Sequence, residues 1–321
     1  MDKKLIDPEL RQSVLIQKLL YSSLEKENGY KKINLFLKAM KGRCRSNLHY
    51  EQVYIDRPDG SKMRICVYTP RERKKNAPGL LWIHGGGYAI GLPEQEERYI
   101  KRFCEANNCI VVAPEYTLSV DKPYPAALND CYLALKWLRN KAPQYDIRSD
   151  QLMVGGASAG GGLTAALSLY ARDKKEVAIA FQMPLYPMID DRMNSSSAKN
   201  NTAPVWNSKT NHEARRLYLG KLFMTDDVPA YAAVARATDY SNLPPTCSFV
   251  GDLEPFYDET KTYIKNLEAN GVTTYFKIFT GCYHGFDIVK PKASVSKEAI
   301  EFLMKTYTLA CSIHFAEQPS I

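Results

Sequence analysis

Three separated segments of this chain carry residue types that could serve one reaction. Gly156-Ala157-Ser158-Ala159-Gly160 follows an apolar run at 151–154 and precedes a helix-forming stretch at 163–169. A Gly-x-Ser-x-Gly turn between strand and helix strains the serine backbone. It pushes the hydroxyl out at a helix N-terminus, where developing negative charge is favoured. Larger side chains at 156 or 160 would strike the neighbouring strand or helix. His84-Gly85-Gly86-Gly87-Tyr88 follows the apolar run 79–83, and Gly281-Cys282-Tyr283-His284-Gly285-Phe286-Asp287 follows the strand-like 274–279. A loop of backbone amide donors, a nucleophile and a basic histidine, each at the C-terminal end of a strand, make up the set that acyl transfer requires.

Five histidines allow elimination. His49 opens a strand, His212 lies in an irregular region and His314 in the tail. His84 heads the glycine loop, ahead of the serine, whereas the base of such a site follows the acid in the chain. His284 alone has the right place, and His84 reads as an anchor for its loop. The acid must lie between Ser158 and His284, beyond the strand 246–250. That strand runs into Gly251-Asp252-Leu253-Glu254-Pro255-Phe256-Tyr257-Asp258-Glu259. Asp258 and Glu259 suit the first turn of the next helix, where acids complement the macrodipole. Asp252 and Glu254 both fit the loop, and spacing does not choose between them.

The elements that must position these groups are legible as periodicities. Leu10, Val14, Leu15, Leu19 and Leu20 recur at helical spacing, as do Ile33, Phe36, Leu37 and Met40. Residues 49–57 and 63–68 alternate around Pro58-Asp59-Gly60, which predicts a hairpin. Strands are expected at 79–83, 109–113, 151–155, 177–184, 246–250 and 274–279. Helices are expected at 95–107, 126–141, 159–172, 257–270 and 293–309. An antiparallel start followed by βα repeats predicts an α/β chain with a mostly parallel central sheet flanked by helices. Residues 188–235 break the rhythm with the polar stretch 194–201 and a helical pattern at 212–219. Insertions in such folds collect on the functional face, so this one is expected to form a helical cap with the N-terminal helices. The resulting division is an N-terminal cap segment at 1–48, core at 49–187, cap insertion at 188–235, and core again at 236–321.

Composition narrows the function classes. Hydrophobic residues make up 45% of 321, enough for a large core. The net charge of +8, from 43 basic and 35 acidic residues, is scattered and not gathered into a long run. That argues for a solvated surface and against a nucleic-acid groove. No apolar run approaches the ~20 residues needed to span a bilayer, and the N-terminus has no signal-peptide core. The eight cysteines lack metal-site spacing and read as free thiols, mostly buried, in a cytoplasmic protein. A homodimer is the default assembly.

Together these motifs resemble the hormone-sensitive-lipase-like family of α/β-hydrolases, particularly its bacterial esterases and acetylesterases, across nearly all of residues 50–310. His84-Gly85-Gly86-Gly87 resembles the family's oxyanion signature, Gly156–Gly160 its nucleophile elbow, and Tyr124-Pro125-Ala126-Ala127-Leu128-Asn129-Asp130 the opening of a core helix. The resemblance implies an α/β-hydrolase fold with a two-part cap. Aligning the family's Asp-Pro-Leu-Arg-Asp-Glu on Asp258-Glu259 puts the acid at Glu254, with Asp252 as runner-up. Glutamate replaces the usual aspartate, and Ala157 replaces an acidic residue that does not attack. The resemblance further implies a serine carboxylesterase for short acyl esters, working without metal or organic cofactor. Ser158 would attack, His284 would shuttle the proton, and amides of Ala159, Gly86 and either Gly85 or Gly87 would hold the oxyanion. Tyr88 and Trp206 would wall the substrate pocket, and Cys282 would be a buried neighbour of the base. The other readings are an amide, formamide or peptide hydrolase with the same residues, and a non-catalytic small-molecule-binding module.

Overall fold

The computed structural model describes residues 2–12 and 14–320; the side chain of Leu20, counted above in the first helical stripe, lies outside the described set. Eight strands form one sheet: β1 His49–Asp56, β2 Lys62–Thr69, β3 Ala77–Ile83, β4 Ile110–Pro114, β5 Ile147–Ala157, β6 Phe181–Leu185, β7 Thr246–Gly251 and β8 Thr274–Phe279. Their order is β1-β2-β4-β3-β5-β6-β7-β8. The hairpin β1–β2 pairs from His49↔Thr69 to Asp56↔Lys62, and β2 is antiparallel to β4. Every later pair is parallel. The helices are α1 Pro8–Arg11, α2 Val14–Tyr21, α3 Glu27–Leu37, α4 Glu97–Asn107, α5 Ala126–Lys141, α6 Ala159–Lys174, α7 Ser208–Leu219, α8 Tyr257–Ala269, α9 Phe286–Val289 and α10 Ser294–Ile313.

The two-residue period of a strand divides the core into two layers. In β3, Leu81 and Ile83 join the layer built with α5, α6 and α8, while Leu80 and Trp82 join the one built with α4 and α10. Both faces of the central strands are thus covered, which is why they read as continuous apolar runs. Apolarity at 177–184 overstated β6, because Val177 and Ile179 are buried in the first layer ahead of the ladder. The ladder begins at Phe181, opposite Met153.

At the C-terminal end of the sheet the irregular residues 188–235 form extended loops and α7. Asn207 caps α7 by accepting from the amides of Lys209 (2.9 Å) and Thr210 (3.1 Å), which places the helix start four residues before the expected one. The N-terminal helices meet α7 directly. The Tyr30 hydroxyl donates to the Thr210 carbonyl (3.4 Å), and Glu27 pairs with Arg216 (3.1 Å). Asn34 in α3 also braces the glycine loop, donating to Ala89 and accepting from Gly91. Among the described residues, no helix is long and apolar enough to cross a membrane.

Candidate active site

Ser158 stands between β5 and α6 with φ +61° and ψ −119°, a backbone conformation that costs a non-glycine residue energy and is held by its surroundings. Its amide donates to Leu185 and its carbonyl accepts from Gly162 and Met188, so the strained turn is tied on three sides. The flanking glycines are a packing requirement. A Cβ on Gly160 would lie 2.1 Å from the Ile83 carbonyl oxygen, and one on Gly156 2.5 Å from the same atom.

His284 follows β8 in a turn where Gly281 (φ +73°) and Gly285 (φ +67°) occupy left-handed conformations. The turn delivers the imidazole to Ser158, with Nε2 2.8 Å from the serine Oγ. On the other side Nδ1 makes a short hydrogen bond to Oε2 of Glu254. The second carboxylate oxygen of Glu254 accepts from the Gly251 amide at 3.1 Å. A carboxylate can only accept, so Nδ1 carries the ring proton and Nε2 is free to take one from the serine hydroxyl. Burial pushes the Glu254 carboxyl above its ordinary range, and the adjacent His284 pulls in the opposite direction. Asp252, the competing acid, faces elsewhere: its carboxylate accepts from the Gly281 amide at 2.7 Å and shapes the histidine turn.

The glycine loop shares its work out unevenly. Gly85, expected among the amide donors, has its carbonyl engaged by His84 and by Gln95 (3.3 Å), next to the buried Glu96 carboxylate that accepts from the Trp82 indole (2.9 Å). Gly86 (φ +116°) and Gly87 (φ +60°) hold conformations that side chains resist, and Ala159 supplies the first amide of α6. His84 is buried, stacks on Tyr116 at 4.1 Å and donates Nδ1–H to the Gly85 carbonyl (2.9 Å). Burial lowers it to about 4, so it stays neutral at ordinary pH. Trp206 packs against Gly87 and lies 6.2 Å from the His284 ring. Tyr88 is locked by stacking on Tyr218 (3.8 Å) and by a hydrogen bond to the Met188 carbonyl (2.5 Å). Cys282 is buried, as expected, and its thiol is pushed up by burial. Asp130, from the segment 124–130, opens no part of the site; it pairs with Arg57 and accepts from the Thr117 amide at 2.7 Å.

Several groups around the imidazole were not foreseen. Phe256 and Tyr186 present ring edges to His284, both at 5.0 Å. Asp287 is buried, makes a short hydrogen bond with Tyr99 and accepts from Tyr186 at 3.1 Å. Burial raises its carboxyl. Its place three residues after His284 was the available signal, but Tyr99 and Tyr186 are 188 and 101 residues away in the chain.

A protein-family model described as alpha/beta hydrolase fold matches residues 80–288. Esterase LipI of Mycobacterium tuberculosis (strain ATCC 25618 / H37Rv) is 31% identical over 235 residues, covering 72% of this chain and 73% of the relative. An arylesterase of Saccharolobus solfataricus is 29% identical over 228 residues, covering 70% and 73%. Among solved structures, a bacterial heroin esterase superposes with a TM-score of 0.88 at 30% identity, over 96% of this chain and 98% of its own. A hyperthermophilic esterase from the archaeon Pyrobaculum calidifontis gives 0.81 at 26% identity, over 95% and 99%.

Proposed function

The chain belongs to the alpha/beta hydrolase fold family, and from that premise we propose that it is a serine carboxylesterase acting on short acyl esters of the acetyl type. The observation that carries this reading is the continuous hydrogen-bonded line from Ser158 Oγ through His284 to Glu254. Ser158 attacks the ester carbonyl while His284 Nε2 takes its proton and hands it to the leaving alcohol. Glu254 holds the ring in the required tautomer and stabilises the imidazolium. The oxyanion is received by the amides of Ala159, Gly86 and one neighbouring glycine, Gly85 or Gly87, since that of Ser158 donates to Leu185. Loss of one such donor typically raises the barrier by ~3 kcal/mol. Water then cleaves the acyl-enzyme with His284 again as base.

The N-terminal helices and the insertion 188–235 act as the two halves of a cap, on the strength of their contacts through α3 and α7. Trp206 walls the acyl side next to the base, a place that suits small acyl groups. All eight cysteines are unpaired, which fits a reducing compartment such as the cytoplasm. The test is a panel of p-nitrophenyl esters from acetate to laurate beside the matching anilides, with fluorophosphonate labelling and peptide mapping. Labelling of Ser158 and highest kcat/KM on the shortest esters are expected. Label on another residue, or amide cleavage outrunning ester cleavage, would overturn the assignment.

A further inference from the structure

The inner face of α7 holds a cation that the ester-hydrolysis machinery does not use. Arg215 is completely buried, and among the described residues none of its three guanidinium nitrogens has a hydrogen-bond partner. One turn earlier Asn211 is equally buried, with both amide atoms unpartnered, and the indole nitrogen of Trp206 is unpartnered too. Arginine cannot shed its charge in a protein, and a buried guanidinium without partners is costly. A cluster of this kind is stable only if something complementary meets it.

The neighbouring carboxylates fill that role only in part. Glu259 is the nearest acid, 3.9 Å from Arg215 and beyond hydrogen-bonding distance. Its Oε1 is occupied by the amides of Ile189 (2.7 Å) and Asp190 (3.3 Å). Burial pushes Glu259 up to about 8 despite the nearby arginine, and its Oε2 makes no hydrogen bond to the guanidinium among the described residues. Asp190 is paired with Arg192 at 2.8 Å and Asp191 with Arg236 at 2.7 Å. Glu259 and the Tyr88 ring balance part of the charge of Arg215, but among the described residues all three guanidinium nitrogens keep their hydrogen-bonding capacity for a group that is not part of the chain.

The cluster adjoins the reacting centre. Ala214, the residue before Arg215, and the Trp206 ring both face Gly87 of the glycine loop. The guanidinium lies 5.9 Å from the ring of Tyr88, the next residue. Met188, which binds the Tyr88 hydroxyl, donates its own amide to the Ser158 carbonyl. A planar guanidinium, with an unpartnered amide one helical turn earlier on α7, offers the fork of donors from which a carboxylate accepts.

We propose that Arg215, with Asn211 and Trp206, forms a recognition site for a free carboxylate on the substrate, so that the preferred esters carry a second, anionic carboxyl group. This rests on the esterase reading and narrows its substrate class. The site works by giving the guanidinium its hydrogen-bond partner only when such a substrate is bound, which favours it over a neutral ester of equal length.

The test uses two matched series on the whole protein: monoethyl esters of linear dicarboxylic acids from succinate to suberate, and ethyl esters of the unsubstituted acids of the same chain length. A parallel pair on the alcohol side sets O-acetyl hydroxy acids against their methyl esters. The readout is the ratio of kcat/KM, carboxylated over neutral. In wild type the best pair is expected to give a ratio of about ten or more, the worth of one charge-assisted hydrogen bond. Arg215→Met is expected to lower that ratio at least tenfold, and Arg215→Lys to retain part of it. A purely structural arginine would depress both series equally and leave the ratio unchanged, which overturns the proposal. If Arg215→Met fails to fold, the wild-type ratio decides alone. Neutral esters cleaved without any carboxylate preference would overturn this site and leave the esterase intact. Neither series cleaved would overturn the esterase reading and this site with it.

Discussion

Glu254→Gln is nearly isosteric, yet it is expected to act on the proton of a neighbouring ring. In the wild type one carboxylate oxygen accepts from the Gly251 amide at 3.1 Å and the other from His284 Nδ1. Glutamine has one acceptor and one donor end. The backbone N–H of Gly251 cannot change its role, so the amide oxygen must face it and the NH2 must face Nδ1. The imidazole then switches tautomer, Nε2 acquires the hydrogen, and it donates to Ser158 where it should accept. The negative charge beside the imidazolium is lost as well. At a charge separation of about 4 Å and an effective dielectric constant near 20, that attraction is about 4 kcal/mol, or about a thousandfold in rate. Adding the tautomer penalty brings the expected fall in kcat to ~10³–10⁴. Asp252→Asn is the control. It keeps an oxygen for the Gly281 amide and does not touch the ring, so activity within about threefold of wild type is expected on the same grounds of a retained hydrogen bond. The assay is p-nitrophenyl acetate turnover at pH 7.5, with thermal unfolding to show that both variants are folded. A Glu254→Gln enzyme within tenfold of wild type beside a dead Asp252→Asn would refute the assignment of the acid.

Three further perturbations test other parts of the molecule. Gly160→Ala would place a methyl group 2.1 Å from the Ile83 carbonyl oxygen and 2.7 Å from that of His84. A loss of about 3 kcal/mol or more is expected in denaturant unfolding, and a variant as stable as wild type would contradict the packing described for the turn. Glu259 gives a pH effect with a definite sign. Between its ordinary value of 4.5 and about 8, the folded chain keeps a proton that the unfolded chain has released, so this group's contribution to stability falls as pH rises through that window. Glu259→Gln should therefore gain Tm relative to wild type as pH goes from 5 to 8, with the difference levelling above; a difference that does not vary with pH counts against a protonated Glu259. Trp206→Ala removes the ring that packs on Gly87 beside His284. The kcat/KM ratio of p-nitrophenyl hexanoate to acetate should rise about tenfold as the acyl side opens, and an unchanged ratio would place Trp206 outside the acyl pocket.

How far the sequence reached can be judged residue by residue. The strand–turn–helix around Ser158, the glycine loop after 79–83 and the histidine turn after 274–279 were legible because each is a local solution. Alternating apolarity builds the strand, small residues permit the tight backbone, and the next few residues start the helix. Most strand and helix limits lie within a few residues of expectation for the same reason. The limits at 177–180 were misjudged because burial and pairing leave the same apolar trace. What only the tertiary structure decided are the partners. Glu254 and Asp252 are two residues apart and chemically alike, but the turn after β7 aims one at the imidazole and the other at a backbone amide. Arg215 lies in a stretch whose sequence shows only a helical pattern, and its complete burial follows from the approach of Glu259 in α8 and of Tyr88 after the glycine loop. Backbone strain and helical or strand period are properties of adjacent residues, so a sequence states them. Which side chain meets which depends on the approach of distant segments, and that is set by the packing of the whole sheet and the helices above it.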